Sequence, residues 1–305
     1  MMRQILLFAG ALCLSATLSA EQTRDYQVEL PATPGDAPGF KPPPEAEIPD
    51  DQFGEMVRYG RDLFVNTQQL RGKYVGNDMN CVNCHVDAGR RADSAPLWAA
   101  YTMYPAYRKK NDRVNTMEER IQGCFRYSMN GSPPPSGSPE LTALITYHYW
   151  LAKGAPTGVA LEGRGYPKLD GPQNKPDIRR GREVFEAQCA ICHGDDGLGR
   201  KAEGEVVFPP LWGEGSYNWG AGMHRVNTAA AFIHANMPLG KPYSLSEQQA
   251  WDVAAYINSH ERPQDPRHED DLKATDQTFH AHQCFYGDKI DGQALGTRSY
   301  PNPLE

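Results

Sequence analysis

The stretch Cys81-Val82-Asn83-Cys84-His85 decides the fold of this chain, and it recurs as Cys189-Ala190-Ile191-Cys192-His193. Two thiols separated by two residues can add across the two vinyl groups of a haem, and the adjacent histidine then reaches the iron. One match alone would also fit a metal-binding or redox pair of cysteines, but two matches inside a repeat favour haem. We therefore predict two covalently bound haems c, attached through Cys81, Cys84, Cys189 and Cys192, with His85 and His193 as proximal iron ligands.

The sequence around each motif is itself repeated. Gly60-Arg61-Asp62-Leu63-Phe64 precedes the first motif, and Gly181-Arg182-Glu183-Val184-Phe185 precedes the second. Each motif is followed by a loop with Met and Pro and then by an aromatic-rich helix, predicted over Pro139–Lys153 and Ser246–His260. This order resembles the class I cytochrome c fold present twice, a mostly α and loop-rich structure. The resemblance implies that Gly60 and Gly181 lie where the first helix of each domain crosses the last.

The start of the chain is typical of a secretory signal. Arg3 precedes the apolar run Ile5–Leu14, and small residues follow up to Ala20. The apolar run is too short to span a bilayer, and nothing later resembles a membrane helix. We therefore expect a periplasmic protein without stable membrane insertion.

The remaining chain divides by composition, with 29 glycines and 25 prolines favouring loop-rich domains. A helix is predicted to begin after Asp50 or Asp51 and to run to about Gln68. The predicted divisions are a signal peptide (1–20), a proline-rich leader (21–50), an N-terminal cytochrome c domain (51–153), a linker (154–175), a C-terminal cytochrome c domain (176–262) and a C-terminal tail (263–305).

The net charge of −7 and the pI of about 5.7 argue against a nucleic-acid partner. Residues 108–126 nevertheless hold a local excess of positive charge. A solvated helix face is the simpler interpretation for Lys109, Lys110 and Arg113. The cations of this window are Arg108, Lys109, Lys110, Arg113, Arg120 and Arg126, and its acids are Asp112, Glu118 and Glu119.

The second axial ligand of the C-terminal haem is predicted to be Met237. It lies 44 residues after His193 in a Met-Pro-Leu-Gly loop just before the last predicted helix. A thioether is a soft ligand that favours reduced iron and raises the potential. Met223 and His234 are the alternative ligands, and the other interpretation of Met237 is a core methionine without a ligand role.

The residues alone leave the second axial ligand of the N-terminal haem open. Met129 lies 44 residues after His85, matching the spacing of the second domain, whereas Cys124 lies 39 residues after it. Spacing therefore favours Met129. In an oxidising compartment Cys124 could instead form a disulfide with Cys284.

The segment Arg120-Ile121-Gln122-Gly123-Cys124-Phe125-Arg126-Tyr127-Ser128-Met129-Asn130-Gly131 resembles the distal-ligand segment of thiosulfate dehydrogenases. These are periplasmic dihaem cytochromes that join two thiosulfates into tetrathionate, and the resemblance covers roughly residues 50–265. It implies that Cys124 is the axial ligand of the active-site haem in the N-terminal domain and that Met129 is a packing residue. Arg120 and Ser128 would line the substrate site. Some family members carry a lysine before the methionine of the second haem, but this chain has Asn236 there.

The resemblance implies oxidation of two thiosulfates to tetrathionate, or the reverse reaction at the same site. A Cys124 thiolate would lower the potential of the first haem and could accept sulfur from the substrate. Electrons would then leave through the second haem to a soluble acceptor such as a small cytochrome c or a high-potential iron–sulfur protein. The alternatives are a dihaem carrier with two methionine ligands, a Cys-ligated Sox-type cytochrome and a dihaem peroxidase.

Overall fold

The computed structural model describes residues 39–109, 111–298, 300 and 304. The predicted signal peptide and most of the predicted leader lie outside these described residues. Within them, no helix combines the length and the apolar character needed to cross a bilayer.

Helices dominate the described chain, and the strands are short. The α-helices are α1 (Gln52–Val65), α2 (Leu97–Tyr101), α3 (Met117–Tyr127), α4 (Pro139–Leu151), α5 (Ile178–Gln188), α6 (Ala190–His193), α7 (Val226–Asn236), α8 (Glu247–Asn258) and α9 (Leu272–Thr275). Three antiparallel pairs join β1 (Ala106–Arg108) to β2 (Arg113–Asn115), β3 (Arg200–Ala202) to β4 (Glu205–Phe208), and β5 (Lys289–Ile290) to β6 (Gln293–Ala294). Single tighter turns cover Glu45–Glu47, Thr67–Leu70, Cys81–Asn83 and Gly222–His224, and a wider π-turn covers Asp276–His280.

The first helix begins where the sequence predicts. The Asp51 side chain accepts a hydrogen bond from the Gly54 amide at 2.8 Å, which satisfies a free N–H at the start of α1. The helix ends at Val65, earlier than the predicted Gln68, because the chain tightens there into the turn Thr67–Leu70. Its apolar side packs into the core of the N-terminal domain.

Helix crossings at two glycines organise the two domains. A Cβ at Gly60 would lie 2.0 Å from the Ala143 carbonyl oxygen, so α1 and α4 touch backbone to backbone there. A Cβ at Gly181 would lie 2.0 Å from the Asp252 carbonyl oxygen, which marks the same crossing between α5 and α8. The predicted glycine crossings are therefore confirmed in both halves, and each domain has its own apolar core.

The predicted linker packs against the N-terminal domain. Residues 154–175, all of them described, form no helix or strand. The Asp93 and Ala95 amides donate to the Gly163 and Gly165 carbonyls, both at 2.7 Å, and Leu161 is buried. This segment therefore belongs to the wall of the N-terminal domain as well as joining the two domains.

Two buried asparagines join the domains. The Asn77 side-chain amide donates to the Ser128 carbonyl at 2.8 Å and to the Ser216 carbonyl at 3.0 Å. From the other side, the Asn218 amide donates to the Arg126 carbonyl at 2.9 Å. Because both asparagines are buried, these bonds fix residues 216–218 of the C-terminal domain against the end of α3.

The C-terminal tail forms a third, small apolar cluster. Tyr286 and Leu295 from the tail pack with the fully buried Trp219. The Arg267 guanidinium lies 5.2 Å from the centre of the Tyr127 ring of the N-terminal domain. The tail therefore contacts both domains.

Candidate haem and substrate sites

A cavity of about 380 Å³ lies beside the first cysteine motif. Cys81, Cys84 and His85 all line it. The Nδ1 of His85 lies 2.7 Å from the Ala95 carbonyl oxygen, so a proton on Nδ1 leaves Nε2 as the nitrogen for a metal. Burial lowers the pKa of His85 to about 4, which keeps the imidazole neutral as a ligand requires.

A second cavity of about 360 Å³ lies beside the second motif and repeats these features. Cys189, Cys192 and His193 line it, and the His193 Nδ1 lies 2.9 Å from the Pro209 carbonyl oxygen. Burial lowers the pKa of His193.

The structure distinguishes the candidate distal ligands of the second haem by their positions. Met237, directly after α7, and Met223 both line the cavity. His234 instead places its Nδ1 3.0 Å from the Leu245 carbonyl oxygen. Met237 ligation of the second iron stays a prediction.

Both cavities fit a haem c by the chemistry of their walls. Each has two free thiols and one oriented imidazole along one side, as covalent attachment and proximal ligation require. The rest of each wall is mostly apolar, which suits the flat face of a macrocycle. Soft sulfur side chains also line each cavity and can serve as distal ligands.

The distal wall of the first cavity is built by α3. Thr116 and Glu119 form a reciprocal cap that fixes the start of this helix. Arg120 and Cys124 then lie one turn apart on the same face, and both line the cavity. The Arg120 Nη1 donates to the Cys124 Sγ at 3.0 Å. The charge of a Cys124 thiolate would raise the pKa of Arg120 further above its already high usual value.

Ser128 and Met129 follow α3 and line the same cavity. Met129 is buried, and its amide donates to the Cys124 carbonyl at 3.0 Å. The structure therefore brings both candidate ligands, Cys124 and Met129, to one cavity.

The disulfide alternative is wrong. Cys124 and Cys284 are both free thiols in the structure. Cys124 lines the first cavity, whereas Cys284 lies in the tail with its Sγ 3.7 Å from the His280 Nδ1.

The predicted basic window divides into cavity and surface residues. Arg108 and Arg120 line the first cavity. Lys109 is exposed, and Arg113 pairs with Glu119 at 2.9 Å. Lys110 lies outside the described residues.

Two residues that line the first cavity were not predicted from the sequence. Arg164, from the predicted linker, adds a third guanidinium to the first cavity. It lies in a Gly- and Pro-rich segment without periodicity, so no local signal marks it. His148 on α4 also lines the cavity, and burial lowers its pKa to about 4. Its place in a helix that is apolar on most of its sides, where a histidine stands out, was the signal that could have found it.

Comparison with known proteins places both domains among cytochromes c. Residues 68–157 match the family model described as SoxA/TsdA, cytochrome c domain. Residues 176–257 match the model described as cytochrome C oxidase, cbb3-type, subunit III. Together with the two motifs, these matches identify the cavities as the sites of two covalently bound haems c, in a mostly helical tandem of cytochrome c domains.

Two curated relatives match over nearly their whole length. A thiosulfate dehydrogenase of Stutzerimonas stutzeri (strain A1501) is 55% identical over 285 residues, covering 92% of this chain and 93% of the relative. A thiosulfate dehydrogenase of Thiomonas intermedia (strain K12) is 52% identical over 296 residues, covering 97% of this chain and 93% of the relative.

A solved structure has the same fold. The thiosulfate dehydrogenase TsdBA from Marichromatium purpuratum, in its as-isolated form, superposes with a TM-score of 0.83 at 53% identity. The match covers 86% of this chain, and the chain spans 59% of the length of that solved protein.

Proposed function

The chain belongs to the thiosulfate dehydrogenase family, and from that premise we propose that it oxidises thiosulfate in the first cavity and delivers the electrons to an external acceptor. The observation that carries the proposal is the Arg120–Cys124 contact of 3.0 Å in the distal wall. It combines a sulfur, which can exchange with a sulfur substrate, with a cation that suits an oxyanion.

Charge is the first requirement of this reaction. Thiosulfate is a dianion, and joining two of them brings like charges together. Arg108, Arg120 and Arg164 line the cavity and offset this repulsion. The Ser128 hydroxyl, in the same wall, can donate to a sulfonate oxygen. We propose Arg120 and Ser128 as the substrate-binding pair.

Electron balance is the second requirement. Two thiosulfates yield one tetrathionate and two electrons. Each haem, when bound, supplies a one-electron acceptor, so the pair takes up both electrons. We propose His85 and Cys124 as the ligands of the first haem and His193 and Met237 as the ligands of the second.

Cys124 has a second proposed role as the sulfur acceptor. Its thiolate forms an S–S bond with the outer sulfur of one thiosulfate, with two electrons leaving the sulfur pair. The outer sulfur of a second thiosulfate then attacks that outer sulfur, breaks its bond to Cys124 and releases tetrathionate. Atoms and charge balance in both steps, and the cysteine returns as a thiolate. The same two steps in reverse would reduce tetrathionate to thiosulfate.

A dihaem electron carrier is the second candidate, and one observation favours it. Met129 lines the first cavity beside Cys124 and matches the spacing of Met237 after its own histidine. A carrier with two methionine ligands would need no thiosulfate chemistry.

Turnover separates the two candidates. The purified holoprotein is mixed with thiosulfate and ferricyanide, and both ferricyanide reduction and tetrathionate are measured. The proposal expects one tetrathionate for every two ferricyanides reduced, whereas a carrier gives neither. Tetrathionate with a reduced viologen dye tests the reverse direction.

We further propose that the protein is located in the periplasm. Its physiological electron acceptor would be a small soluble cytochrome c or a high-potential iron–sulfur protein.

A further inference from the structure

Four side chains of metal-ligand type meet at the base of the C-terminal tail. They are His224, His280, His282 and Cys284, and one ligand atom from each lies within 4.8 Å of all the others. None of the four lines either haem cavity. Three of them come from the tail as His280-Ala281-His282-Gln283-Cys284, and His224 comes from the turn Gly222–His224.

The distances between the ligand atoms are close to those of a tetrahedral zinc site. With ordinary zinc–nitrogen and zinc–sulfur bonds, two ligand nitrogens lie about 3.3 Å apart, and a nitrogen and a sulfur lie about 3.6 Å apart. The His280 Nδ1 and the Cys284 Sγ lie 3.7 Å apart. The Nε2 atoms of His224 and His282 lie 2.8 Å apart and need to separate by about half an ångström.

The outward nitrogens of two of these histidines are already anchored. The Nε2 of His280 lies 3.1 Å from the carboxylate of Asp265, which is itself buried and held by Arg267. The Nδ1 of His224 contacts the Ala221 carbonyl oxygen. Anchoring one ring nitrogen to a carboxylate or a carbonyl is how proteins orient a metal-binding histidine, because it fixes the tautomer and aims the other nitrogen.

Burial and access also suit an ion. His224 and His280 are each 2% exposed, whereas His282 and Cys284 are only partly buried. The first pair fixes the site in the protein interior, and the second pair leaves an entry route from solvent.

We propose that His224, His280, His282 and Cys284 bind one zinc ion that fastens the C-terminal tail to the body of the protein. Three imidazoles and one thiolate form a complete tetrahedral set for this borderline-soft cation, with no open position for catalysis. Binding converts the Cys284 thiol to a thiolate, and its proton leaves to solvent.

A zinc ion at this site would also hold in place the segment that lies between the two haem cavities. Met223, the neighbour of His224, lines both cavities, and Trp219 packs on the tail residue Tyr286. An ion held at His224 therefore fixes the segment that separates the two cavities.

Metal content tests the proposal on the holoprotein. Protein dialysed against micromolar zinc and then against metal-free buffer is analysed for zinc and iron by inductively coupled plasma mass spectrometry. We expect one zinc for every two irons. Cys284→Ser and His282→Ala should lose the zinc and keep both irons. His268→Gln changes a histidine of the same tail outside the cluster and should keep it.

Thermal unfolding of the wild-type protein gives a second readout, in which a variant serves only as the control. Zinc added to chelator-treated wild-type protein should raise Tm by several degrees, and should not do so for Cys284→Ser. Less than a tenth of a zinc per two irons in the wild type, or equal zinc in the wild type and both cluster variants, would overturn the proposal. Because neither readout uses thiosulfate, failure of the proposed function would leave this test intact.

Discussion

Arg120 and Cys124 lie one turn apart on α3, and this spacing alone brings a cation and a sulfur into one cavity wall. The Arg120 side chain, which carries a positive charge in any environment, donates to the sulfur at 3.0 Å. A residue pair of this kind can bind an anionic sulfur compound and react with it. The neighbouring Met129 lines the same cavity, but its thioether offers neither a thiolate nor a cation.

Replacing Cys124 tests its two proposed roles together. Cys124→Ser keeps the helix and a group that can accept from Arg120 but removes the thiolate. Thiosulfate turnover should fall close to zero, while mass spectrometry should still find two attached haems. Met129→Leu is the matched control and should keep most of the turnover. Loss of the first haem's low-spin signal in Met129→Leu, with Cys124→Ser unchanged, would reverse the ligand assignment.

Replacing Arg120 tests the oxyanion contact. Arg120→Ala removes a charge-assisted hydrogen bond from a buried wall, which costs about 1.5–3 kcal/mol, or about ten- to a hundredfold in kcat/KM. Lys109→Ala removes a cation from the exposed surface of the same basic window and should change kcat/KM by less than about fivefold. Equal effects at the two positions would indicate diffuse attraction by the whole basic window.

Helix crossings show how far sequence reasoning reaches. Gly60 and Gly181 were predictable because each occupies the same place in a repeated segment, and the structure puts both at backbone contacts. The motifs located both haem sites for the same reason. Arg164 was missed because it reaches the cavity through long-range packing of an irregular segment, which leaves no local pattern. The histidines and cysteine at 280, 282 and 284 had a readable spacing, but their partner His224 is distant in sequence.

The crossing of α1 and α4 has a measurable cost when it is blocked. Gly60→Ala places a Cβ 2.0 Å from the Ala143 oxygen, so the helices must separate, and we expect a loss of about 3 kcal/mol in the free energy of unfolding. Gly123→Ala, on α3, is the control, because a Cβ at that position would meet nothing within 4 Å. It should stabilise the protein by up to about 1 kcal/mol. Urea unfolding of the two variants, followed by circular dichroism, measures both changes; a Gly60→Ala variant as stable as wild type would contradict the crossing.

The start of α4 makes the stability of the N-terminal domain depend on pH. The Lys73 ammonium donates to the Glu140 carboxylate at 2.6 Å and thereby lowers the pKa of Glu140. A lowered folded-state pKa means that this contribution is present above the unfolded pKa of about 4.3 and is lost as pH falls.

Glu140→Gln should therefore lower the urea midpoint slightly at pH 7, since the Lys73 side chain is 60% exposed and water screens the pair. The difference from wild type should shrink as the pH falls below about 4.3 and through the lowered pKa of Glu140. A difference that stays constant as the pH is lowered from 7 through that range would show that packing, and not charge, is lost.

The two cavities share lining residues, so they adjoin each other at the junction of the two domains. Met79, Cys84, Tyr217 and Met223 border the first cavity and the second. Buried asparagines provide polar contacts at that junction, through the hydrogen bonds of Asn77 and Asn218 across it.

Replacing Asn77 should weaken the junction between the two domains. It is fully buried, and its amide bridges the Ser128 carbonyl of one domain and the Ser216 carbonyl of the other. Asn77→Ala leaves both carbonyls without that donor and removes the acceptor of the Met79 amide, at a cost of about 2–3 kcal/mol.

Differential scanning calorimetry of the holoprotein should show one transition for wild type. For Asn77→Ala it should show a lower Tm and a broadened or split transition, because the domains then unfold with less mutual support. Asn227→Ala alters an exposed asparagine on α7 and should leave the transition unchanged. If Asn77→Ala keeps a single transition with unchanged Tm, apolar contacts along the shared cavity wall hold the domains together without the asparagine bridge.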